Sequence, residues 1–189
     1  MPAAPALTLN SLMARFRAVS GLEAHFREEK KMAILAAPLE SEGTIYFAAP
    51  DRLVRQTRFP TASKLVVDSN ELRFGDASGS QAIPLEGNPV VRLFVDAFVK
   101  VLAGDAVALQ RIFDIELHPA ALGWSLDLKP KLAPMTSVIE RLRIEGRDVV
   151  VDKMIVRETD GDETTTVFSA VDARRRFGPE EKARIFSAP

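Results

Sequence analysis

The chain of 189 residues carries 25 Lys and Arg against 26 Asp and Glu, a near balance that removes the basic footprint of a nucleic-acid-binding protein. It has no cysteine, which excludes disulfides, thiolate chemistry, cysteine-based zinc sites and lipid attachment at a cysteine within this sequence. The length suits a single domain, 1–189, and no run approaches the roughly 18 apolar residues needed for a membrane-crossing helix.

The opening "MPAAPALTLN" has neither the basic segment nor the apolar core of a secretory signal, and it leaves the compartment open. In "NSLMARFRAVSG", Leu12, Phe16 and Val19 recur at i, i+4 and i+7, which predicts a helix from Asn10 to Val19, capped by Asn10 or Ser11 and stopped at Gly21. In "LEAHFREEKKMAI", Leu22, Ala24 and Phe26 alternate with Glu23, His25 and Arg27, the period of a strand buried on one face, and the charged run after it reads as a strand end or loop. "GTIYFAAP", "RLVRQTRF" and "KLVVDSNELRF" continue as short strands, with Asp68-Ser69-Asn70 as a hairpin tip. The first part of the chain is therefore a helix followed by an antiparallel meander.

After "GDASGSQAIPLEG" the period changes. Asn88 and Pro89 open "VVRLFVDAFVKVLAG", a helix from Pro89 to Leu102 ending at Gly104, whose only charged residues, Arg92, Asp96 and Lys100, form one thin polar stripe. Such a helix is covered on most of its circumference, by core or by whatever fills an adjacent cavity. "DAVALQRIF" follows as a short helix capped by Asp105. Strands then return: Trp124, Leu126 and Leu128 alternate with Ser125, Asp127 and Lys129, and three more segments are separated by turns at Gly146-Arg147 and Asp160-Gly161. "GPEEKARIF" reads as a helical turn or short helix.

Little in the sequence points to catalysis. His25 and His118 have no recognisable nucleophile or paired ligand, and no nucleophile elbow or zinc-helix motif is present. "TDGDE" lacks the ligand spacing of a calcium loop and reads as a polar hairpin tip. "DARRRF" reads as a solvated strand end. No cofactor and no metal site is expected. What remains is the number of broad apolar side chains: a one-face sheet plus a nearly all-apolar helix offers more apolar surface than one helix-on-sheet layer needs.

The ordered series "LMARFRAVSGLEAHFREEKKM", "LESEGTIYFAAPDRLVRQTRFP" and "KLVVDSNELRF" resembles the LolA family of periplasmic lipoprotein carriers, with Gly43, Pro50, Val66, Asp68 and Leu72 standing at the family's positions. "LAGDAVALQRIFDIEL", "GWSLDLKP" and "IERLRIEG" extend the likeness over nearly the whole chain, towards a divergent LolA-like branch. The resemblance implies an α+β fold: a strongly curved, half-open antiparallel β-sheet of about ten strands, an incomplete barrel, with a helical lid over an apolar cavity that receives acyl chains.

It also implies a non-enzymatic carrier in the periplasm, monomeric, with an acylated lipoprotein or lipid as cargo, an inner-membrane releasing transporter and an outer-membrane acceptor as partners, and no nucleic acid. An envelope lipid- or lipoprotein-sensing domain of the same fold, or a LolB-type receptor lacking its anchor, are the alternatives; an acyl hydrolase would need a nucleophile and base that cannot be assembled. The cavity is expected to be lined by Leu12, Phe16, Phe94, Phe98 and Val101 from the lid and by Phe26, Phe47, Leu65, Val67, Trp124, Leu126 and Met154 from the sheet. Two positions depart from the family: Ala49 replaces the Arg that links sheet to lid, and Arg55 replaces an aromatic residue.

Overall fold

The computed structural model describes residues 7–68, 71–83 and 89–189. Helix α1 (Leu9–Arg17) is capped by Thr8, whose hydroxyl accepts from the Ser11 amide at 3.2 Å while Ser11 Oγ accepts from the Thr8 amide at 3.0 Å. This reciprocal pair moves the start ahead of the expected Asn10 or Ser11, because it satisfies two N-terminal amides at once. The helix closes at Ala18, so Val19 lies beyond it yet is still buried.

Eleven strands among the described residues form one antiparallel sheet: β1 (Gly21–Lys31), β2 (Leu39–Ala48), β3 (Arg52–Phe59), β4 (Ser63–Asp68), β5 (Glu71–Asp76), β6 (Gly79–Ala82), β7 (Phe113–Ala120), β8 (Gly123–Pro130), β9 (Ile139–Arg147), β10 (Val150–Glu158) and β11 (Glu163–Asp172). Their order is β6-β5-β4-β3-β2-β1-β11-β10-β9-β8-β7, so two meanders meet at the β1–β11 pair and the sheet is not closed. β6 comes from the "GSQA" stretch, which carries no apolar alternation and reads as connection in sequence. The charged end of β1 is strand rather than loop, since Glu28 to Lys30 are held by β2 on one side and Glu28 to Lys31 by β11 on the other. Gly43 does not begin β2 but sits within it at a bulge; a Cβ there would lie 1.9 Å from the Gln56 carbonyl oxygen, so only glycine lets β3 approach.

β6 and β7 are at opposite edges, so the segment joining them must cross a face of the sheet. It carries α2 (Pro89–Phe94), a π-helical stretch (Val95–Val99), α3 (Lys100–Leu102) and α4 (Ala106–Ile112). The expected long helix is thus present with one wider turn in its middle. Asp105 caps α4 by accepting from the Ala108 amide at 2.9 Å. Gly104, at φ +67°, turns the chain where α1 crosses; a Cβ there would be 2.2 Å from the Met13 carbonyl oxygen.

Val67 and Leu72 on one meander share one apolar cluster with Phe113 and Leu126 on the other, together with the lid. A flat sheet of this width would hold its edge strands roughly 50 Å apart, too far for a few short helices to bridge. The sheet therefore wraps around the lid.

The hairpin between β9 and β10 turns at Asp148 and Val149, with Asp148 at φ +50°, two residues later than the expected Gly146-Arg147. Gly146 is kept in β9 by its place beside Trp124, whose ring lies 2.7 Å from where a Cβ would be. The turn at Asp160-Gly161 is as expected. The Asp68–Glu71 pair joins β4 to β5, while Ser69 and Asn70 of the expected tip lie outside the described residues, as does Asn88.

The helical turn or short helix expected in "GPEEKARIF" is α6 (Pro179–Ile185), which follows the short helix α5 (Met135–Val138) and the last strands. It packs with Phe177 and Phe186 against Ala48, Val54 and Val66, forming a second small core on the outer face of β2 to β4. Arg52 Nη2 donates to the Phe186 carbonyl at 3.2 Å and Lys64 Nζ to the Ser187 carbonyl at 2.8 Å. In "DARRRF" Arg175 bonds Glu23 and Glu181, anchoring the segment rather than leaving it solvated.

Candidate functional site

Strand alternation sends Leu22, Ala24 and Phe26 of β1, Ile45 and Phe47 of β2, Leu53 of β3 and Val67 of β4 to the inner face, where Phe168 of β11 and Met154 and Val156 of β10 join them. From the second meander come Trp124, Leu126 and Leu128 of β8 and Leu142 and Ile144 of β9. The lid supplies Leu12 and Phe16 of α1 together with Phe98, Val101 and Leu102. Phe16 meets Trp124 edge-on at 5.8 Å between ring centroids, and Phe98 stacks on Phe168 at 5.3 Å. Trp124 keeps its indole N–H satisfied by the Asp148 carbonyl at 2.9 Å.

Of the expected lining residues, Leu12, Phe16, Phe26, Phe47, Val67, Phe98, Val101, Trp124, Leu126 and Met154 all fall in this one cluster, and Leu65 packs against it. The side chain of Phe94 lies outside the described residues. The structure thus brings the chosen side chains together, but closed on one another: Phe16, Phe47, Phe98 and Leu126 are at most 1 % exposed. On the polar stripe, Arg92 Nε contacts Asp96 Oδ2 at 3.4 Å, and burial pushes the Asp96 carboxyl above its ordinary pKa despite the nearby guanidinium.

Towards one end of the sheet the same inward positions turn polar. After Phe26 come Glu28 and Lys30; after Ile45, reading backwards, Ser41; after Leu53, Arg55; and before Phe168, Thr166. Arg55 donates to both Glu28 oxygens at 2.9 Å and to Ser41 Oγ at 3.2 Å, and Thr166 Oγ1 donates to Glu28 at 2.8 Å. Burial pushes the Glu28 pKa up, but hydrogen bonding and charge from Arg55, with bonds from Thr166 and Ser41, outweigh it and hold the carboxyl below its ordinary value. Lys30 Nζ lies 2.8 Å from Glu158 Oε1 and 3.9 Å from Asp162 Oδ2; the Glu158 bond raises its pKa against the opposing pull of burial. This collar is what sequence reasoning missed. Its signal was present in the charged run of β1, whose even positions continue the apolar face.

Arg55 therefore ties strand to strand. Ala49, at the turn between β2 and β3, has its amide on the Ser20 carbonyl at 3.1 Å, and its methyl side chain has no group that could donate a hydrogen bond to the lid. α1 is held instead by Arg17 Nη2 on the Gly104 carbonyl and by Arg15 on Asp148, each at 3.2 Å.

His25 is exposed on the outer face. His118 Nε2 lies 3.2 Å from Asp127 and stands opposite Ser125, but Ser125 Oγ accepts from Arg143 Nη2 at 3.0 Å. A base, an acid and a hydroxyl are thus neighbours there, with the hydroxyl bonded to a guanidinium that cannot take its proton. Glu158, Asp160 and Asp162 bring carboxylate oxygens within 4.8 Å of one another, and the Lys30 ammonium bonds to this group.

The sequence model of the family described as outer membrane lipoprotein carrier protein LolA-like matches residues 2–184. Among solved structures, a LolA superfamily protein from Nitrosomonas europaea is similar with a TM-score of 0.53 at 10% identity, covering 94% of this chain and 97% of that one. A DUF1329 family protein from Desulfovibrio piger gives a TM-score of 0.51 at 10% identity over 95% and 94%. MucB gives 0.54 at 11% identity over 91% of this chain but only 61% of its own. At such identities these structures bear on the fold alone. No curated protein matches the chain in sequence. With its unclosed antiparallel sheet, its helices crossing the inner face and a sequence match over nearly its full length, the chain belongs to the LolA-like family of outer membrane lipoprotein carrier proteins.

Proposed function

We propose that this protein is a non-enzymatic carrier of the periplasm that takes the acyl chains of lipoproteins or related lipids between lid and sheet and passes them toward the outer membrane. The observation that carries this reading is the continuous apolar surface shared by the lid residues Phe16, Phe98 and Val101 and the inner strands, built around a sheet that is not closed. Family membership supports the cargo class.

The closed packing fits carriage in energetic terms. Each buried methylene contributes about 0.8 kcal/mol, so a long chain in a preformed cavity would be held too firmly to release. When the lid must first separate from the strands, its own lost contacts are subtracted from that gain, and the net affinity falls to one a partner can reverse. An inner-membrane transporter would supply the cargo and an outer-membrane acceptor would take it, with the carrier acting as a monomer.

The test is displacement of a fluorescent fatty-acid probe by a synthetic lipopeptide. Saturable probe binding, reversed by the lipopeptide and not by the same peptide without its acyl chains, is the expected result. Absence of saturable binding would overturn the reading and return Phe98 and its neighbours to the role of ordinary core.

A further inference from the structure

A hollow of about 570 Å³ lies at the polar end of the sheet, lined by Glu28, Lys30, Leu39 and Ser41 of the inner face and by Phe59, with Glu40, which alternation sends to the other face of β2, at its rim. Leu39 and Phe59 are half exposed, at 53% and 52%, and place apolar surface beside the charged groups. Two residues separate the hollow from the interior: Glu28 lines it, and the Arg55 guanidinium bound to Glu28 lies 4.1 Å over the ring of Phe26, a member of the main core. An acyl chain reaching the interior from this end would leave its polar head in the cavity.

The charge there is unbalanced. The cations are engaged: Arg55 by the two bonds to Glu28, Lys30 by Glu158 with Asp162 beside it. Asp160 adds a third carboxylate to the group around Lys30. Glu40 makes no ion pair among the described residues. A head group seated on the inner face therefore meets carboxylate in excess, and an anionic head could gain Arg55 or Lys30 only by breaking hydrogen bonds of 2.8 to 2.9 Å that are partly shielded from water. An ammonium or an uncharged hydroxyl-bearing head would find acceptors at Glu40 and Ser41 without disturbing either pair.

We propose that this collar selects cargo by its head group, seating amphiphiles with an ammonium or uncharged hydrogen-bonding head and rejecting anionic ones. The inference rests on the carrier reading above and assigns Glu40, Glu28 and Lys30 as specificity-determining residues of the same site.

The experiment uses the full chain and three amphiphiles with one common alkyl chain, carrying an ammonium, a glycerol or a sulfate head, each competing with the fluorescent fatty-acid probe below its aggregation limit. The ammonium compound should displace the probe at a concentration roughly tenfold lower than the sulfate, with the glycerol compound between them, and added salt should narrow the gap. Glu40→Lys, an exposed change that leaves the core intact, should reduce the preference for ammonium over sulfate by at least about threefold. Equal affinity for the three heads, or a preference that Glu40→Lys leaves untouched, would overturn the collar while leaving the carrier reading standing. Failure of all three to displace the probe saturably would overturn the carrier reading, and this inference with it.

Discussion

Arg55 and Glu28 meet through two hydrogen bonds of 2.9 Å across the intervening strand β2, with the guanidinium stacked on Phe26. One side chain thus ties β3 to β1 by a bidentate charge-assisted contact, where the sheet has turned from apolar to polar. Both partners retain little exposure, 18% for Arg55 and 20% for Glu28. Removing one alone strands the other. Arg55→Met should lower unfolding stability by about 2–3 kcal/mol, below the full cost of a wholly buried pair, and the double change Glu28→Met with Arg55→Met should recover most of it. Urea denaturation of the single and double variants checks this; equal losses in both would refute it.

The same pair sets a pH dependence. The folded Glu28 pKa lies below its unfolded value, so its contribution is present above the ordinary carboxylate range and is lost as the pH falls through the folded pKa. Stability of the wild type should drop more steeply than that of Glu28→Gln as the pH is lowered below that range. Parallel curves of urea midpoint against pH would show that the carboxylate is not held as described.

Phe98 stacks on Phe168 and is 1 % exposed, whereas Lys100 is half-buried on the polar stripe. Phe98→Asp should therefore weaken fatty-acid probe binding sharply, because a carboxylate in this apolar layer costs several kcal/mol unless it protonates. Lys100→Glu should change binding little. Since the first variant could also lose its fold, Phe98→Ala provides a second reading: a stability loss of about 3–5 kcal/mol with altered probe affinity in the protein that remains folded. Circular dichroism and probe titration together decide it.

α6 and the core it makes with Phe177 and Phe186 lie on the outer face, away from the lid. Phe186→Ala should lower the melting temperature through a loss of about 3 kcal/mol, with the Arg52 contact to that ring, 5.3 Å from its centroid, also removed. Probe affinity in the folded variant should match the wild type. A large change in affinity with unchanged stability would mean that the outer face communicates with the inner one.

Gly43 is required by close approach rather than by φ. Gly43→Ala should destabilise the protein by more than about 2 kcal/mol, since a methyl group 1.9 Å from the Gln56 carbonyl oxygen forces β2 and β3 apart. A melting temperature equal to the wild type would show that the bulge can absorb the side chain.

His25→Ala and His118→Ala should both leave probe binding unchanged, the first because it is exposed on the outer face, the second because its contacts are Asp127 and Glu116 at the far meander. A loss of binding in either folded variant, measured by the same titration, would assign that histidine a role in the site.

Period and punctuation in the sequence determined the local elements: the apolar spacing of Leu12 and Phe16 marks a helix, the alternation of Leu22, Ala24 and Phe26 marks a half-buried strand, and Asp105 marks the start of α4. These are near-neighbour properties, and strand alternation also assigned Phe26, Phe47, Val67, Trp124 and Met154 to one common face once the register was settled. Tertiary contacts decided what local pattern cannot express. β6 is strand only because β5 offers it a ladder, and the charged end of β1 is strand because β2 and β11 flank it. Arg55 stands out in the sequence only as a departure from the family, and Glu28 lies 27 residues before it; their pairing exists only when β1, β2 and β3 lie side by side. The place of α6 was equally invisible, because its apolar side is defined by Ala48, Val54 and Val66, residues that alternate away from the main core and find a partner only when the chain's end folds back over them.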